Sequence, residues 1–298
     1  MRPSVRSLID RFRKVAKKGP RHALSLKTTH LVESCFGPIE AYVDDVITDQ
    51  IIEFGNHTRP EFAFACSVLS PRAQLFDLGA HIGTFSMTAL GKMMGGGRIL
   101  AVEGNPVTAA ILSRNLMRVA DPKQRGRQPG RSIEVLNAFV AVQDGDFAIQ
   151  ENRANTGASM LVPRATGPNM APAVQPFYGI DALVDRYFPP DYIKLDTEGT
   201  EGQVLTGSRF VADAKPLIYL EVNERTLAAF GTTTSDLDDL FGRLGYGLYV
   251  NSFDRNGGHD LYRIDRITTL TGRGAFFDVL CVPVTHEMYK VLSRLCAP

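Results

Sequence analysis

The stretch DLGAHIG, residues 77–83, decides the fold class of this chain. An apolar run that is typical of a buried strand ends in it, and residues 82–94 carry apolar positions at helical spacing. Gly79 allows the chain to turn sharply, and Gly83 lets the new helix lie close to the sheet. The first N–H groups of that helix have no partner within it, so they are available to a ligand. The stretch therefore predicts a strand, a ligand-binding turn and a helix.

Strand-like and helix-like runs alternate from residue 73 onward. Helices are expected at residues 82–94, 107–119, near 201–205 and at 235–244. Strands are expected at residues 73–78, 98–103, 133–138, 191–196, 217–222, 246–251 and 276–282. This alternation predicts a doubly wound α/β sheet of seven strands, in which ligands bind at the carboxyl ends of the strands.

Three connections carry their own signals. Asn105-Pro106 is expected to cap the helix that follows it, because Asn caps helices and Pro suits the first helical position. Residues 121–131 are polar and basic, which predicts a surface loop. Residues 139–150 indicate a further strand pair that turns at residues 144–145, and residues 151–176 lack periodicity, which indicates a long connection or lid.

The composition is that of a globular protein. The chain has 298 residues, of which 44% are hydrophobic and 22% charged. No apolar run approaches the roughly 18 residues that a membrane span needs. The four cysteines are far apart and form no C-x-x-C pair, which favours reduced thiols. We expect a soluble, cytoplasmic protein with an extension at residues 1–60 and one catalytic domain at residues 61–298.

The extension begins with a basic segment. Residues 1–21 contain eight Arg or Lys residues and one acidic residue, a net charge of +7, whereas the remaining 25 basic and 31 acidic residues give −6. An apolar stripe interleaved with this charge predicts an amphipathic helix that ends at Gly19-Pro20. Such a helix either caps the domain or docks on an anionic membrane. The interleaved charge argues against a signal peptide, and a transit peptide is a further alternative.

The glycines of the turn bear on the cofactor. A dinucleotide fingerprint has a middle glycine that admits a pyrophosphate, and here Ala80, His81 and Ile82 separate the two glycines. This spacing disfavours NAD and favours S-adenosylmethionine, whose methionine end suits the backbone groups of the turn. Glu103 ends the next strand and is placed to accept both ribose hydroxyls. His81 is interpreted as a helix-start residue near the ligand rather than a base.

A second polar group follows the fourth predicted strand, in the stretch IKLDTEGTE at residues 193–201. Three acidic residues at the end of an apolar strand are costly to bury without partners, so they are expected to line a polar cleft. Asp196 and Glu198 are the candidate catalytic residues. The alternative is a capping box made by Thr200 and Gln203, with the acids at a helix N-terminus.

The quoted residues resemble a known family. DLGAHIGTFS, AVEGNP, IKLDTEGTEGQVLTG and LIYLEVN are similar to the successive motifs of the FkbM family of S-adenosylmethionine-dependent methyltransferases. The similarity covers about residues 60–282, and its third motif is the most specific. The family more often has Asn at the position of His81 and Pro at that of Gly104. The first 50 residues carry no motif of the family.

The resemblance implies a class I methyltransferase fold and O-methylation of a sugar, a glycan or another small metabolite. It implies that Asp196 and Glu198 face the transfer site, where either is a candidate general base. It also implies that the first glycine turn holds the methionine end and Glu103 the ribose. The residues expected at the cofactor are Asp77, Gly79, His81, Gly83, Thr84, Glu103 and Asn137.

Other partners and functions follow less directly. We expect no nucleic-acid partner, because the chain lacks an Asn-Pro-Pro-aromatic motif and its main body is acidic. We also expect no metal ligands. The partners expected are a small-molecule or glycan acceptor and, through residues 1–21, an anionic membrane surface. The alternatives are a non-catalytic nucleotide-binding or scaffolding protein of the same fold and an NAD-dependent oxidoreductase.

Overall fold

The computed structural model describes residues 28–120, 131–142, 147–152, 154–163, 170–173, 175–255 and 257–296. The amphipathic helix predicted within residues 1–21 and the turn predicted at residues 144–145 lie outside the described residues. The four cysteines, predicted to be reduced thiols, form no disulfide within the described residues. Within the described residues, no helix combines the length and the apolar character that crossing a membrane requires.

The strands are β1 (Thr29–Ser34), β2 (Gly37–Tyr42), β3 (Gln74–Leu78), β4 (Gly97–Glu103), β5 (Arg131–Asn137), β6 (Phe139–Val140), β7 (Phe147–Gln150), β8 (Met160–Pro163), β9 (Met170–Pro172), β10 (Phe177–Tyr178), β11 (Tyr192–Leu195), β12 (Leu217–Asn223), β13 (Tyr246–Asn251), β14 (Ile264–Ile267) and β15 (Phe276–Pro283). The helices are α1 (Val46–Phe54), α2 (Arg59–Cys66), α3 (Thr84–Lys92), α4 (Pro106–Val119), α5 (Ile180–Arg186), α6 (Glu201–Thr206), α7 (Arg209–Ala214), α8 (Glu224–Ala229), α9 (Thr234–Leu244) and α10 (Glu287–Leu295), with a 3₁₀ turn at Thr156–Ala158.

The central sheet has the doubly wound order that the sequence predicts. Among the described residues, eight strands follow one another as β14-β13-β15-β12-β11-β3-β4-β5. All seven predicted strands lie in this sheet, and β14 is an additional edge strand that sequence reasoning missed. β15 pairs antiparallel with both β12 and β13, whereas β12, β11, β3, β4 and β5 are parallel. The carboxyl ends of the parallel strands therefore meet along one edge.

Both faces of the sheet are buried, and successive residues of a strand enter different cores. Leu75 of β3 belongs to a core that includes β1, β2, α1 to α4 and α10, and Phe76 belongs to a second core with α5 to α9. Apolar runs without polar alternation are expected where helices cover both faces of a parallel sheet. This packing leaves the strand ends as the place where polar side chains can gather.

Residues 29–54 pack into the first core. The buried side chains of Val32, Ile39 and Ile51 lie in the same cluster as those of α3 and α4. An ion pair of 2.7 Å between Glu40 and Arg114 holds β2 to α4. Together with the buried apolar side chains, it joins this part of the predicted extension to the sheet. The domain boundary at residue 60 stays a prediction.

Helix starts show one correct prediction and one that is wrong. Asn105 caps α4 through its side chain, which accepts from the N–H of Val107 at 3.0 Å, and Pro106 takes the first helical position. Thr200, in contrast, makes no side-chain cap at α6 and donates to the carbonyl of Val140 at 2.6 Å. The capping box is therefore wrong, because a distant strand end offers Thr200 a buried acceptor.

The region after β5 differs from the prediction. Residues 139–150 do not form a strand pair, because β6 pairs in parallel with β10 and β7 pairs with β8 and β9. Residues 151–176 are not a plain connection, since they contain the 3₁₀ turn, β8 and β9. These strands have at most four residues, too few for alternation to identify their partners.

Candidate active site

A cavity of about 420 Å³ opens at the carboxyl ends of the parallel strands. This volume lies within the range of small-molecule sites, roughly 300–1,000 Å³. Its wall comes from the turns after β3, β4 and β11, from β12 and β15, from α1 and α2, and from residues 155–161. Residues from the predicted lid and from the first 60 residues thus complete a site that the strand ends begin.

Gly79 is required by the close approach of two strand ends. Its φ angle is +77°, and a Cβ atom there would lie 1.6 Å from the carbonyl oxygen of Asp196. Gly83 has a φ angle of +99°, and a Cβ atom there would lie 2.9 Å from Leu112. Gly83 therefore lets α3 approach α4, rather than the sheet as expected. Both turns need a residue without a side chain.

Glu103 ties the turns after β3 and β4 together. One oxygen of its carboxylate accepts the N–H of His81 at 3.0 Å, and the other accepts the N–H of Asn105 at 2.8 Å. Burial raises the pKa of Glu103 to about 7, although these two hydrogen bonds oppose the shift. Each oxygen retains acceptor capacity toward the cavity, which Glu103 lines together with His81 and Thr84.

Three of the residues expected at the cofactor do not line the cavity. Asp77 is fully buried and accepts a hydrogen bond from Ser86. Asn137 donates to the carbonyls of Glu103 and Gly104 at 2.8 and 3.0 Å, so it supports the turn after β4. Gly83 shapes the helix start. Asp77, Asn137 and Gly83 therefore hold the turns that form the wall.

Lys194 is a buried cation at the centre of the site. Only 4% of it is exposed, and its ammonium group lies 2.6 Å from the carbonyl oxygen of Gly79 and 3.0 Å from Asp196. Asp77 lies 3.7 Å away on the neighbouring strand. Burial disfavours its charge, but Asp196 and Asp77 outweigh burial and raise the pKa of Lys194. The ammonium thus links the turn at residues 79–83, here called the cofactor turn, to residues 196–198 after β11, here called the acidic strand end.

Three carboxylates converge beside this cation. Asp196, Glu198 and Glu221 place one oxygen each within 4.8 Å of one another, a set that can hold a metal ion. Burial disfavours ionised Asp196, but Lys194 outweighs it and lowers the pKa of Asp196. Burial and the charge of Asp196 raise the pKa of Glu198 to about 9 and also raise that of Glu221. At neutral pH Asp196 is ionised and Glu198 carries a proton.

The backbone places Glu198 differently from the prediction. Sequence reasoning continued the strand to Asp196, whereas β11 ends at Leu195. Glu198 has a φ angle of +57°, in the left-handed region that non-glycine residues rarely adopt. The turn, rather than strand alternation, therefore brings its carboxyl group to the cavity.

Several lining residues were missed by sequence reasoning. They are His57, Glu221, Arg255 and Asp278. Arg255 forms an ion pair with Asp278 at 3.1 Å and lies over the ring of Phe276, 4.3 Å from its centroid. Glu221 and Asp278 are acidic residues within strands that are otherwise apolar, which was an available signal. His57 and Arg255 lie in connections, where no local pattern marks them.

The strand order, the glycine turn and the acidic residue at the next strand end define a class I methyltransferase. The family model for the methyltransferase FkbM domain matches residues 77–248, which is more than half of the chain. The chain belongs to the FkbM methyltransferase family. It is a methyltransferase that uses S-adenosylmethionine, and this finding decides against the NAD-dependent oxidoreductase.

The chain has low identity to the solved structures that it resembles. A precorrin-6y C5,15-methyltransferase from Geobacter metallireducens has 15% identity and a TM-score of 0.39, over 74% of this chain and 85% of that one. The TYW2 protein of M. jannaschii, in complex with AdoMet, has 12% identity and a TM-score of 0.39, over 88% and 87%. The search of curated proteins found no match.

Proposed function

We propose that this methyltransferase transfers the methyl group of S-adenosylmethionine to a hydroxyl oxygen of a sugar, a glycan or another small metabolite. The observation that supports this most is the acidic strand end of Asp196 and Glu198, which shares a small-molecule cavity with the glycine turn. Carboxylates suit a hydroxyl because they accept its hydrogen bond when ionised and donate to its oxygen when protonated.

The residues at the first two strand ends fit the cofactor. Glu103 has free acceptor capacity for the two ribose hydroxyls. Gly104 next to it has to be a glycine in this packing, because a Cβ atom there would lie 2.2 Å from the ring of Phe139, which also lines the cavity. We assign the turn of Gly79 and His81, with Thr84, to the methionine end. When bound, S-adenosylmethionine supplies an electrophilic methyl group on a positively charged sulfur.

Asp196 and Glu198 act on the acceptor in this proposal. The ionised carboxylate of Asp196 accepts a hydrogen bond from an acceptor hydroxyl that neighbours the reacting one, while the protonated carboxyl of Glu198 donates one to an acceptor oxygen. Methyl transfer is an in-line displacement, so its rate depends on holding the acceptor oxygen in line with the methyl group and the sulfur. Two carboxyl groups beside the buried Lys194 provide such alignment.

The experiment uses the full chain with S-adenosylmethionine that carries a labelled methyl group. Cell extracts are separated into small metabolites, glycans and proteins, and label is followed in each fraction. We expect label in the metabolite or glycan fraction, in a linkage that resists alkali, unlike a methyl ester, and that fragment mass spectra locate on oxygen rather than on nitrogen or carbon. Label confined to protein or to alkali-labile products would contradict the proposal. Cofactor binding without transfer to any fraction would favour the non-catalytic alternative.

A further inference from the structure

His57 lies in the cavity wall, outside the residues that the family model matches. It follows α1 and precedes α2, in a connection that sequence reasoning did not single out. Its ring packs edge to face on Phe62, with 6.0 Å between ring centroids. His81 of the cofactor turn and Asp196 of the acidic strand end are among the charged or ionisable groups that act on it. His57 therefore lines the cavity within electrostatic reach of both His81 and Asp196.

The hydrogen bonds of Gln50 determine which nitrogen of His57 carries the proton. Nδ1 of His57 lies 2.7 Å from Oε1 of Gln50, which also accepts the backbone N–H of Thr58 at 3.1 Å. An amide oxygen only accepts, so Nδ1 must carry the hydrogen in the neutral ring. Nε2 then holds a lone pair, and no described residue forms a hydrogen bond with it. His57, a residue of the cavity wall, thus has a proton-accepting nitrogen whose identity Gln50 determines.

The surroundings keep this ring neutral. Burial lowers the pKa of His57 to about 3, and the positive charge of Arg255 and the neighbouring His81 add to this shift. Asp196 and Asp45 oppose it without reversing it. Since the imidazole remains uncharged around neutral pH, its lone pair is available without prior loss of a proton.

The two carboxyl groups first considered as bases are less ready to accept a proton. Asp196 is already paired with the ammonium group of Lys194 at 3.0 Å, which lowers the pKa of Asp196. Glu198 carries a proton at neutral pH, because burial and Asp196 raise its pKa to about 9. Among these three side chains, Nε2 of His57 is the acceptor that is both unprotonated and without a donor.

We propose that His57 is a catalytic residue that accepts the proton of the reacting hydroxyl through Nε2. This inference rests on the proposed O-methylation. The acceptor oxygen forms a bond to the methyl carbon, and the carbon–sulfur bond breaks with its electron pair left on sulfur, giving a neutral thioether. The hydroxyl proton passes to Nε2, and the imidazolium later releases it to water. Atoms and charge balance without any further reactant.

A weak base is sufficient for this step. An alcohol is a very weak acid, but its oxygen becomes a protonated ether as the bond to carbon forms, and a protonated ether is a far stronger acid than an imidazolium ion. Proton transfer therefore becomes favourable late in methyl transfer, even to a base of low pKa. The role of Gln50 is to keep Nε2, rather than Nδ1, directed at the acceptor.

The first test needs no acceptor. ¹⁵N NMR of the histidine rings in the full chain, with S-adenosylhomocysteine bound, reports the tautomer and charge of each ring, and loss of one signal set in His57→Asn identifies His57. We expect a neutral ring with the proton on Nδ1 at about pH 6, whereas an isolated histidine is largely protonated there. A proton on Nε2 or a charged ring would overturn the proposal.

The second test compares turnover. His57→Asn keeps a donor near the position of Nδ1 for Gln50 but removes Nε2, and His30→Asn, at an exposed site on β1, is the matched control. With the fraction that accepts label from the wild-type chain, we expect kcat of His57→Asn to fall by about 10²- to 10⁴-fold. The affinity for S-adenosylmethionine and the melting temperature should stay close to those of His30→Asn.

The pH profile separates proton acceptance from a structural role. We expect wild-type kcat to be flat between about pH 6 and pH 8, and the residual turnover of His57→Asn to rise with pH as Glu198 deprotonates. Parallel profiles for both chains, or unchanged turnover in His57→Asn, would overturn the proposal. If the wild-type chain labels no fraction, O-methylation fails instead, and the tautomer of His57 is still decided by the NMR measurement.

Discussion

The hydroxyl of Thr156 accepts a hydrogen bond from Nε2 of His81 at 2.9 Å. The direction follows from Asp45, whose carboxylate receives both the hydroxyl proton and the backbone N–H of Thr156 at 2.8 Å each. Asp45 also caps α1. Thr156 therefore connects the predicted lid to the cofactor turn on one side and to α1 on the other.

This connection predicts that Thr156 contributes to cofactor affinity. Thr156→Val keeps the shape of the side chain and removes the bridge between His81 and Asp45. We expect the affinity for S-adenosylmethionine to weaken by about 1–3 kcal/mol, the range for leaving a buried hydrogen-bond partner unsatisfied. Calorimetry measures this, with Thr206→Val on α6 as the control because Thr206 lies outside the cavity lining. Equal affinities for the two variants would contradict the prediction.

Glu103 predicts a pH dependence of cofactor binding. Ribose hydroxyls donate better to an ionised carboxylate, and the pKa of Glu103 is about 7. Affinity should therefore increase as the pH rises through about 7, where the carboxyl group loses its proton. Glu103→Ala should weaken binding by roughly 1.5–3 kcal/mol and abolish this pH dependence. NAD should not bind. An unchanged affinity in Glu103→Ala would remove Glu103 from the ribose site.

The central sheet was predictable because its signals are local. Each parallel strand is a short apolar run, and the sharp turn at Gly79 follows from a residue that can adopt a positive φ angle. Asn105 and Pro106 likewise mark the start of α4 by their own chemistry. The two strand ends that carry Glu103 and Asp196 were therefore found from sequence.

The rest of the site depends on contacts between distant segments. Thr156 forms a hydrogen bond with His81, which lies 75 residues earlier, and no periodicity in the sequence around Thr156 indicates this contact. The tautomer of His57 is set by Gln50, seven residues earlier, and its place in the site depends on a cavity formed by distant strands. Asp77 and Asn137 are of residue types that commonly bind ligands, yet their hydrogen-bond partners are protein groups that support the cavity wall. Such roles are set by packing rather than by local pattern.

Glu198 predicts a gain in stability from an amide replacement. Its pKa is raised to about 9 in the folded chain, so the folded state binds its proton more tightly than the unfolded state, whose pKa lies near 4.5. Stability is therefore lost as the pH rises from the unfolded value through about 9. Glu198→Gln should melt at least about 2 °C above the wild type near pH 8.5. The difference in melting temperature should disappear near pH 4.5. A melting temperature of Glu198→Gln equal to or below that of the wild type near pH 8.5 would contradict the assigned protonation of Glu198.

The basic segment predicts a salt-dependent interaction with anionic lipid. Residues 1–21 carry a net charge of +7 with an apolar stripe, and each cationic residue near an anionic surface contributes on the order of 1 kcal/mol. Liposomes containing anionic lipid should retain the full chain more strongly than a chain that starts at Thr28. Added salt should reduce the difference. Equal partitioning at low salt would favour a segment packed on the protein.

Asp196 and Glu198 predict different kinetic effects from His57. In Asp196→Asn the loss should appear mainly in KM for the acceptor, because Asp196 already accepts from Lys194 and serves to orient a hydroxyl. Glu198→Gln keeps the hydrogen of the protonated carboxyl group, so its kcat at neutral pH should stay within about tenfold of the wild type. Measurements of kcat and KM for both variants decide this, with thermal melts to detect loss of folding from an unpaired Lys194. A fall in kcat of about 10²- to 10⁴-fold in either variant, with KM and melting unchanged, would assign proton acceptance to that carboxylate instead of to His57.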